Sequence, residues 1–263
     1  MIKLKIVVME KPYNLIQSSA SVREILPRIF KLKLDGYRPH YQYGVMPIDD
    51  TDFWGNHVLV CRETSDGLIP IMGFKSLTVQ DAVKFKKEFA LYTHSLNTPG
   101  CEEHKKNTKS WIDKLSKTGD VGYNHSWTMC PSVHLDKEVK KICYDLSRVL
   151  MYCYYRDYNI PHMVLACSKR FKVDQQMLDI GFEYLKNEND TVMPPFKAAG
   201  FAQEAFYIMH INDLNHSDSV KFLYNKYKDL WENRLTLKLE EEELAKADYR
   251  EATGASAQEY RRT

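Results

Sequence analysis

From Val139 to Cys153 the apolar residues Val139, Ile142, Cys143, Leu146, Val149, Leu150 and Cys153 recur at intervals of three and four, so they share one face of a helix. Lys140, Lys141, Asp145 and Arg148 occupy the opposite face, the layout of a helix that covers a sheet. Asp136 stands where an N-cap is needed, and Glu138 falls in the first turn, where negative charge suits the helix dipole. Ile160-Pro161 closes the pattern because proline lacks an amide hydrogen and disfavours helix in the residue before it. His162 to Ser168 is short, apolar and bounded by polar residues, which predicts a buried strand. Val173 to Ile180, stopped at Gly181, predicts a second helix. After a loop over 187–200 that holds Pro194, Pro195 and Gly200, Phe201 to Ile211 predicts another strand. Ahead of the long helix, the run SWTMCPSV from Ser126 to Val133 predicts the strand that feeds it. Strands alternating with helices of this length argue an α/β layer.

The N-terminal third has its own pattern. MIKLKIVVMEK alternates and predicts a first strand. Val22 to Leu34 predicts a helix with Ile25, Leu26, Ile29, Phe30 and Lys33 along it, and Pro27 must lie in its first turn or kink it. Gly36 to Asp52 is aromatic and polar without period. His57 to Arg62 and Ile69 to Leu77 predict two strands joined at the hairpin signal Asp66-Gly67. Val79 to Thr93 carries an imperfect helical stripe, and 101–122 is lysine-rich and polar around Trp111, Ile112 and Leu115, a short surface helix. Ser217 to Ala247 predicts a helix with Val220, Leu223, Tyr224, Tyr227, Leu230 and Trp231 on one face, continued beyond Arg234 by charged sequence. That stripe must dock on its own domain or on a partner chain, a homodimer included. The expected organisation is a domain over 1–215, a C-terminal helix over 216–250 and a flexible tail over 251–263. No internal repeat is visible.

Composition narrows the functional classes. At 263 residues the chain can bury a substantial core, and a formal charge of +2, with lysines interleaved among acids, argues against nucleic acid as a partner. No apolar run reaches the roughly 18 residues of a membrane span, and the N-terminal stretch is too short and alternating for a signal peptide. Six cysteines, at 61, 101, 130, 143, 153 and 167, sit mostly inside apolar patterns, which predicts reduced core thiols in a cytoplasmic protein.

Several residues carry candidate chemistry beside a plainer reading. Asp49, Asp50 and Asp52 could hold an amine and take its proton, or form a solvated turn. Cys130 could be a nucleophile or a packed thiol, and His134 a base, a phosphate contact or a surface residue. His94, Cys101 and His104 have partial metal-ligand spacing, but zinc needs four ligands and no second pair is evident, so no metal is expected. Tyr37, Tyr41, Tyr43, Phe53 and Trp54 could line a pocket, whereas Tyr152, Tyr154, Tyr155 and Tyr158 read as packing.

The order strand, helix, acidic loop, hairpin, helix, strand, long helix, strand, helix, strand resembles the GNAT acyltransferase superfamily. Its N-terminal half is similar to the N-acyl-homoserine-lactone synthase and N-acyl amino acid synthase branch. The residues that carry this are REILPRIFKLKLDGY, the acidic element Asp49-Asp50-Thr51-Asp52, the strand end GFKSLT and the strand SWTMCPSV, over roughly residues 1–211. The resemblance implies an α/β fold, a central mixed sheet flanked by helices with a C-terminal helical appendage. It implies a sheet that splits beside the fourth strand, where Trp127, Met129, Ser132 and Val133 meet the donor's pantetheine arm and Pro131 marks a bulge. The donor's phosphates meet the N-terminus of the long helix, with Lys137, Lys140 and Lys141 adding charge. The implied activity moves an acyl group from acyl-CoA or acyl carrier protein to an amine, without a permanent cofactor, and the implied catalytic residues are Asp50, Asp52, Lys75 and Cys130.

The chain also departs from the pattern. HLDKEVK has no glycine where the pyrophosphate loop has two, Met177 stands where a tyrosine commonly protonates the leaving thiolate, and Lys75 replaces an arginine. Trp127-Thr128 stand where the branch has a glutamate and an arginine. These departures keep open a catalytically silent binding protein whose C-terminal helix is its interaction surface. A nucleic-acid-modifying enzyme is opposed by the near-neutral charge.

Overall fold

Every residue of Ile6–Met9 is buried, because the first strand is covered on both faces. The computed structural model describes residues 3–41, 47–198, 201, 204–213 and 218–239. In chain order the elements are β1 (Leu4–Met9), α1 (Pro12–Leu15), α2 (Ala20–Tyr37), α3 (Thr51–Trp54), β2 (Asn56–Thr64), β3 (Gly67–Thr78) and α4 (Val79–Lys84). Then come α5 (Glu102–Leu115), β4 (Val121–Met129), α6 (Lys137–Asp157), β5 (His162–Ser168), α7 (Val173–Leu178), β6 (Glu183–Tyr184), β7 (Phe196–Lys197), β8 (Ala205–Ile211), α8 (Asp218–Glu232) and β9 (Leu235–Leu237). The strands form one mixed sheet in the order β6-β8-β5-β4-β3-β2-β1-β9, with β7 beside β8. β1 to β4 pair antiparallel, β4 and β5 pair parallel, and β5 pairs antiparallel with β8. Ile6, Val8, Val58, Val60, Phe74, Met163 and Leu165 face α6 and α8 on one side. On the other, Val7, Met9, Leu59 and Cys61 meet α2, and Leu77, Val121, Tyr123 and Val164 pack with Ala90, Leu91 and Ile112. The α/β sheet flanked by helices is thus the architecture present.

Local signals set several boundaries. The Ser19 side chain accepts from the Val22 amide at the start of α2, and Pro27 lies inside that helix, which excludes the first-turn placement of the two that the sequence left open. The Asp136 side chain caps α6 as predicted, and β5 spans the predicted residues. The helix expected over Val79–Thr93 stops at Lys84: a capping box of Thr78 and Asp81 starts it, but Lys86 takes φ 52°, outside helical space, and a wide turn over Leu91–Ser95 follows. The polar run beyond Cys101 forms the 14-residue α5.

Two expectations need correction. The fourth strand begins at Val121 and ends at Met129, so Ser132 and Val133 lie beyond it, in a tight turn over Pro131–Leu135. Proline cannot donate to a ladder and here starts that turn. The bulge sits earlier, where Gly73 faces Thr128 and Lys75 faces His125, and Ser126 takes φ 55°. The C-terminal helix does not run through 247. It ends at Glu232, and Leu235–Leu237 adds an edge strand parallel to β1. Its apolar stripe docks on its own domain: Val220, Leu223 and Trp231 join the core beside α6. Asp145 accepts from Lys226 and Tyr227 at 2.8 Å each, and Asp157 accepts from the Trp231 indole at 2.8 Å. The described part of this helix therefore spends its apolar face within the chain rather than on a partner. Ser217 and residues 240–263, with the charged extension and the tail, lie outside the described residues.

Gly122 on β4 shows how tightly α6 is seated. A Cβ there would stand 2.2 Å from the ring of Tyr155, which bridges Ser76 and Asn124 at 2.8 and 3.0 Å. Gly122→Ala is expected to lower unfolding free energy by about 1–3 kcal/mol through overpacking. Denaturant titration of the two proteins checks this.

Candidate functional site

β4 and β5 stay paired for only three residues, from Val121↔His162 to Tyr123↔Val164. At Ser126 the left-handed residue in the bulge turns β4 away, while β5 continues to Ser168. The strands part, and a cavity of about 660 Å³ fills the gap. Asn124 to Met129 line one wall and Leu165 to Ser168 the other, with Tyr37 and Tyr41 closing one side and Tyr144, Ser147, Gln176 and Met177 the other. On β4 beyond Tyr123 the β5-facing ladder positions have no strand partner. An extended, amide-bearing ligand can dock there as an added strand does.

An ion network stands behind this cavity. Lys75 on β3 is fully buried, and its Nζ donates to Thr51 Oγ1 at 2.6 Å, to Asp49 Oδ1 at 3.0 Å and to Asp52 Oδ2 at 3.0 Å. Lys33 from α2 pairs with the other oxygen of Asp52. Two lysines and two aspartates balance, as buried charges must. Burial, reinforced by the charge of Lys75, pulls Lys33 down to about 7. Burial works against ionisation of Asp49 and Asp52, yet Lys75 with His125 and the Thr51 hydroxyl at Asp49, and Lys75 with Lys33 at Asp52, hold both below the usual carboxylate range. Of the four, only Asp49 lines the cavity.

Histidines complete the wall. His125 lies parallel to Tyr123, ring centroids 4.8 Å apart, and His94 is 5.5 Å from His125. Burial first, and then Lys75, drives His125 well below its ordinary value, and burial lowers His94, so both imidazoles are neutral at neutral pH. Nε2 of His125 has no hydrogen-bond partner among the described residues. A buried, neutral ring nitrogen without a partner is a proton acceptor in waiting.

His57, behind Asp52, makes the network sensitive to acid. Its Nε2 donates to the Asp52 carbonyl at 2.8 Å, and burial, with Lys33 nearby, lowers its pKa to about 4. The unfolded chain takes up this proton near pH 6.5 and the native one only near 4, so between these values the unfolded state binds more protons and stability rises with pH. Acidification across that window is expected to remove about 3 kcal/mol through this residue alone, with His94 and His125 acting in the same direction. His57→Gln keeps a donor for the carbonyl, and it should flatten unfolding free energy measured from pH 6.5 to 4.

The remaining expected residues fall in different places. Trp127 and Met129 line the cavity, Trp127 stacked on Phe74 at 4.4 Å. Asp50 is exposed and pairs with Lys87 at 3.0 Å, and Asp52 and Lys75 are buried behind the wall. Cys130, Ser132, Val133, Lys137 and Lys140 are not among the lining residues. Cys130 contacts Ser132 at 3.1 Å, Val133 is core, and Lys140 lies over the rim residue Tyr144. Tyr37 and Tyr41 line the cavity as expected, whereas Phe53 packs on Phe30 and Trp54 on Phe85, and Tyr43 lies outside the described residues. His104 is bonded to the Pro194 carbonyl at 2.7 Å, away from any shared ligand geometry with His94 and Cys101. Among the described residues, His94 groups instead with Asp49 and Asp50, which are already held by Lys75 and Lys87. Asn124, His125 and Ser126 were not singled out from the sequence. The signal available was the alternation of buried Val121 and Tyr123 ahead of them.

No family model and no curated protein matches the sequence. Among solved structures the chain is similar to a CoA-dependent acyl-homoserine lactone synthase, BjaI, with SAM and isopentyl-CoA. Identity is 11%, 94% of this chain and 100% of that one are covered, and the TM-score is 0.56. The same synthase with MTA gives 10%, the same coverage and 0.54. The chain has a GNAT-like fold.

Within this fold the expected anion site at the start of α6 is altered. The Asp136 carboxylate accepts from the amides of Glu138 and Val139, both at 3.1 Å, and so occupies the position a donor phosphate was expected to take. Those two amides are therefore already paired with a side chain of this chain. Among the described residues, no helix is long and apolar enough to cross a membrane.

Proposed function

We propose that this chain is an acyltransferase that moves an acyl group from a thioester to an amine. The observation that carries the reading is the split between β4 and β5, which opens a cavity bearing unpaired strand positions on one wall and Asp49, His94 and His125 beside them. The donor's pantetheine arm lies along β4, its amides paired with the free strand edge, and the donor is acyl-CoA or an acyl carrier protein. Because Asp136 caps α6, the arm rather than the pyrophosphate supplies the grip.

The amine nitrogen attacks the thioester carbonyl carbon. Unpaired β4 amides hold the oxyanion that forms. As the C–N bond forms, the nitrogen becomes acidic and His125 Nε2 accepts its proton. The C–S bond then breaks, and the thiolate leaves with that proton, giving an amide and a free thiol. Asp49 orients the amine, while Lys33, Asp52 and Lys75 hold Asp49 in place. Donors of this kind and five buried free thiols out of six are consistent with the cytoplasm.

Titration calorimetry with butyryl-, octanoyl- and palmitoyl-CoA and with the matching acyl-pantetheines tests the reading. Acyl-pantetheine is expected to bind within about tenfold of acyl-CoA, since one decade is only about 1.4 kcal/mol of contacts. Absence of binding by any thioester would sink it. Met177 in place of a thiolate-protonating tyrosine favours a silent, binding-only protein. That second reading stands if thioesters bind and no amine releases the thiol.

A further inference from the structure

The charges around the cavity constrain the acceptor. Among the described residues, no lysine or arginine lines it, and Asp49 is its one carboxylate. Lys75, behind Asp49, is fully buried with its ammonium committed to Asp49, Thr51 and Asp52. Lys33 is committed to Asp52, and Arg170 is outside the lining and donates to Glu204 at 2.8 Å. His94 and His125 are neutral, and His40 and His134 are exposed at the rim. A carboxylate inside the cavity would meet no lysine or arginine among the described lining residues and would face Asp49. Burying an unpaired charge is costly, and a like charge nearby adds to the cost.

An α-carboxylate cannot avoid this position, because only one carbon separates it from the attacking nitrogen. An amine without one meets no such penalty. Among the described residues, Oδ2 of Asp49 accepts a single hydrogen bond, from Lys75 at 3.1 Å, and retains capacity for an N–H of the acceptor. The cavity around it is lined by Tyr37, Tyr123, Trp127 and Phe206, which suit an apolar substituent.

We infer that the acceptor is an apolar primary amine lacking an α-carboxylate, rather than an α-amino acid. This rests on the acyl-transfer reading and narrows its acceptor to one chemical class. The reaction it specifies is R–CO–S–R′ plus R″–NH2 giving R–CO–NH–R″ and R′–SH, with no other reactant.

The test supplies the full chain with the acyl-CoA it binds best and compares 3-methylbutylamine, leucinamide and leucine, then phenethylamine, phenylalaninamide and phenylalanine. Free thiol is followed with a thiol reagent and products are weighed by mass spectrometry. The amines and the amides are expected to be acylated, with each amino acid lower in kcat/KM by at least about 100-fold. The amides match the amino acids in size, so rejection of the acid alone assigns the effect to charge. An amino acid within about tenfold of its amide would overturn the inference. So would donor binding with no amine acylated, whereas failure to bind any donor would take down the proposed function first. Asp49→Asn adds a readout independent of turnover: calorimetric affinity for 3-methylbutylamine in the presence of CoA should fall, with affinity for CoA unchanged.

Discussion

Asp52→Asn is expected to lower unfolding free energy by about 3–5 kcal/mol, the cost of stranding a buried charge, and to lower Tm by about 10 °C. Asp52 is fully buried and receives Lys33 on one oxygen and Lys75 on the other, while that second oxygen also accepts the Asp49 amide at 2.9 Å. Asparagine keeps the shape and removes the charge, which leaves two buried lysines facing Asp49 alone. The double variant Asp52→Asn/Lys33→Met restores the balance of one lysine to one aspartate and should recover part of the loss. Calorimetric unfolding of the wild type, both single variants and the double variant closes the cycle. Additive losses, with no recovery in the double variant, would show that the four charges do not act as one network. A catalytic role for Asp52 predicts a different pattern, in which turnover falls and Tm does not.

His125→Ala is expected to reduce kcat by at least about 100-fold, the scale of losing a positioned proton acceptor, with donor affinity little changed. The side chain faces an open cavity, so its removal leaves a space that a small base can enter. Imidazole added to the assay should restore activity in proportion to its free-base concentration. A histidine that only fills space would show no such rescue. In the wild type, the acid limb of kcat/KM should lie below pH 6.5, because burial and Lys75 hold this imidazole neutral well below its ordinary value. An acid limb at or above pH 6.5 would assign the proton to another group.

Much of the architecture was legible in the sequence, and its limits are physical. Helix α6 was readable because its covered face repeats at the helical period and both of its ends carry strong signals, Asp136 and Ile160-Pro161. β5 was readable because it is apolar throughout. The sequence pattern starts β4 at Ser126, five residues beyond its observed start at Val121, because Asn124, His125 and Ser126 are polar where the cavity wall needs them, and that breaks the alternation that marks a strand. The end of α8 was overrun because helix propensity in the charged stretch continues past Glu232, whereas pairing of Leu235–Leu237 with β1 is a long-range event that local composition does not encode.

The candidate site divides along the same line. The sequence alone pointed to an α/β domain, a likeness to acyltransferases, an acidic element before a strand and a thioester arm beside Trp127. Which carboxylate faces the cavity was settled only in three dimensions. Asp49, Asp50 and Asp52 are equivalent as neighbours in sequence, yet one lines the wall, one pairs with a surface lysine and one is locked between two buried ammonium groups. His94 and His125 lie 31 positions apart in the numbering and meet only because the turn before α5 folds over β4. Periodicity reports which face of an element is covered. Charge pairing and proton affinity depend on what approaches from elsewhere in the chain, and only the tertiary structure decides that.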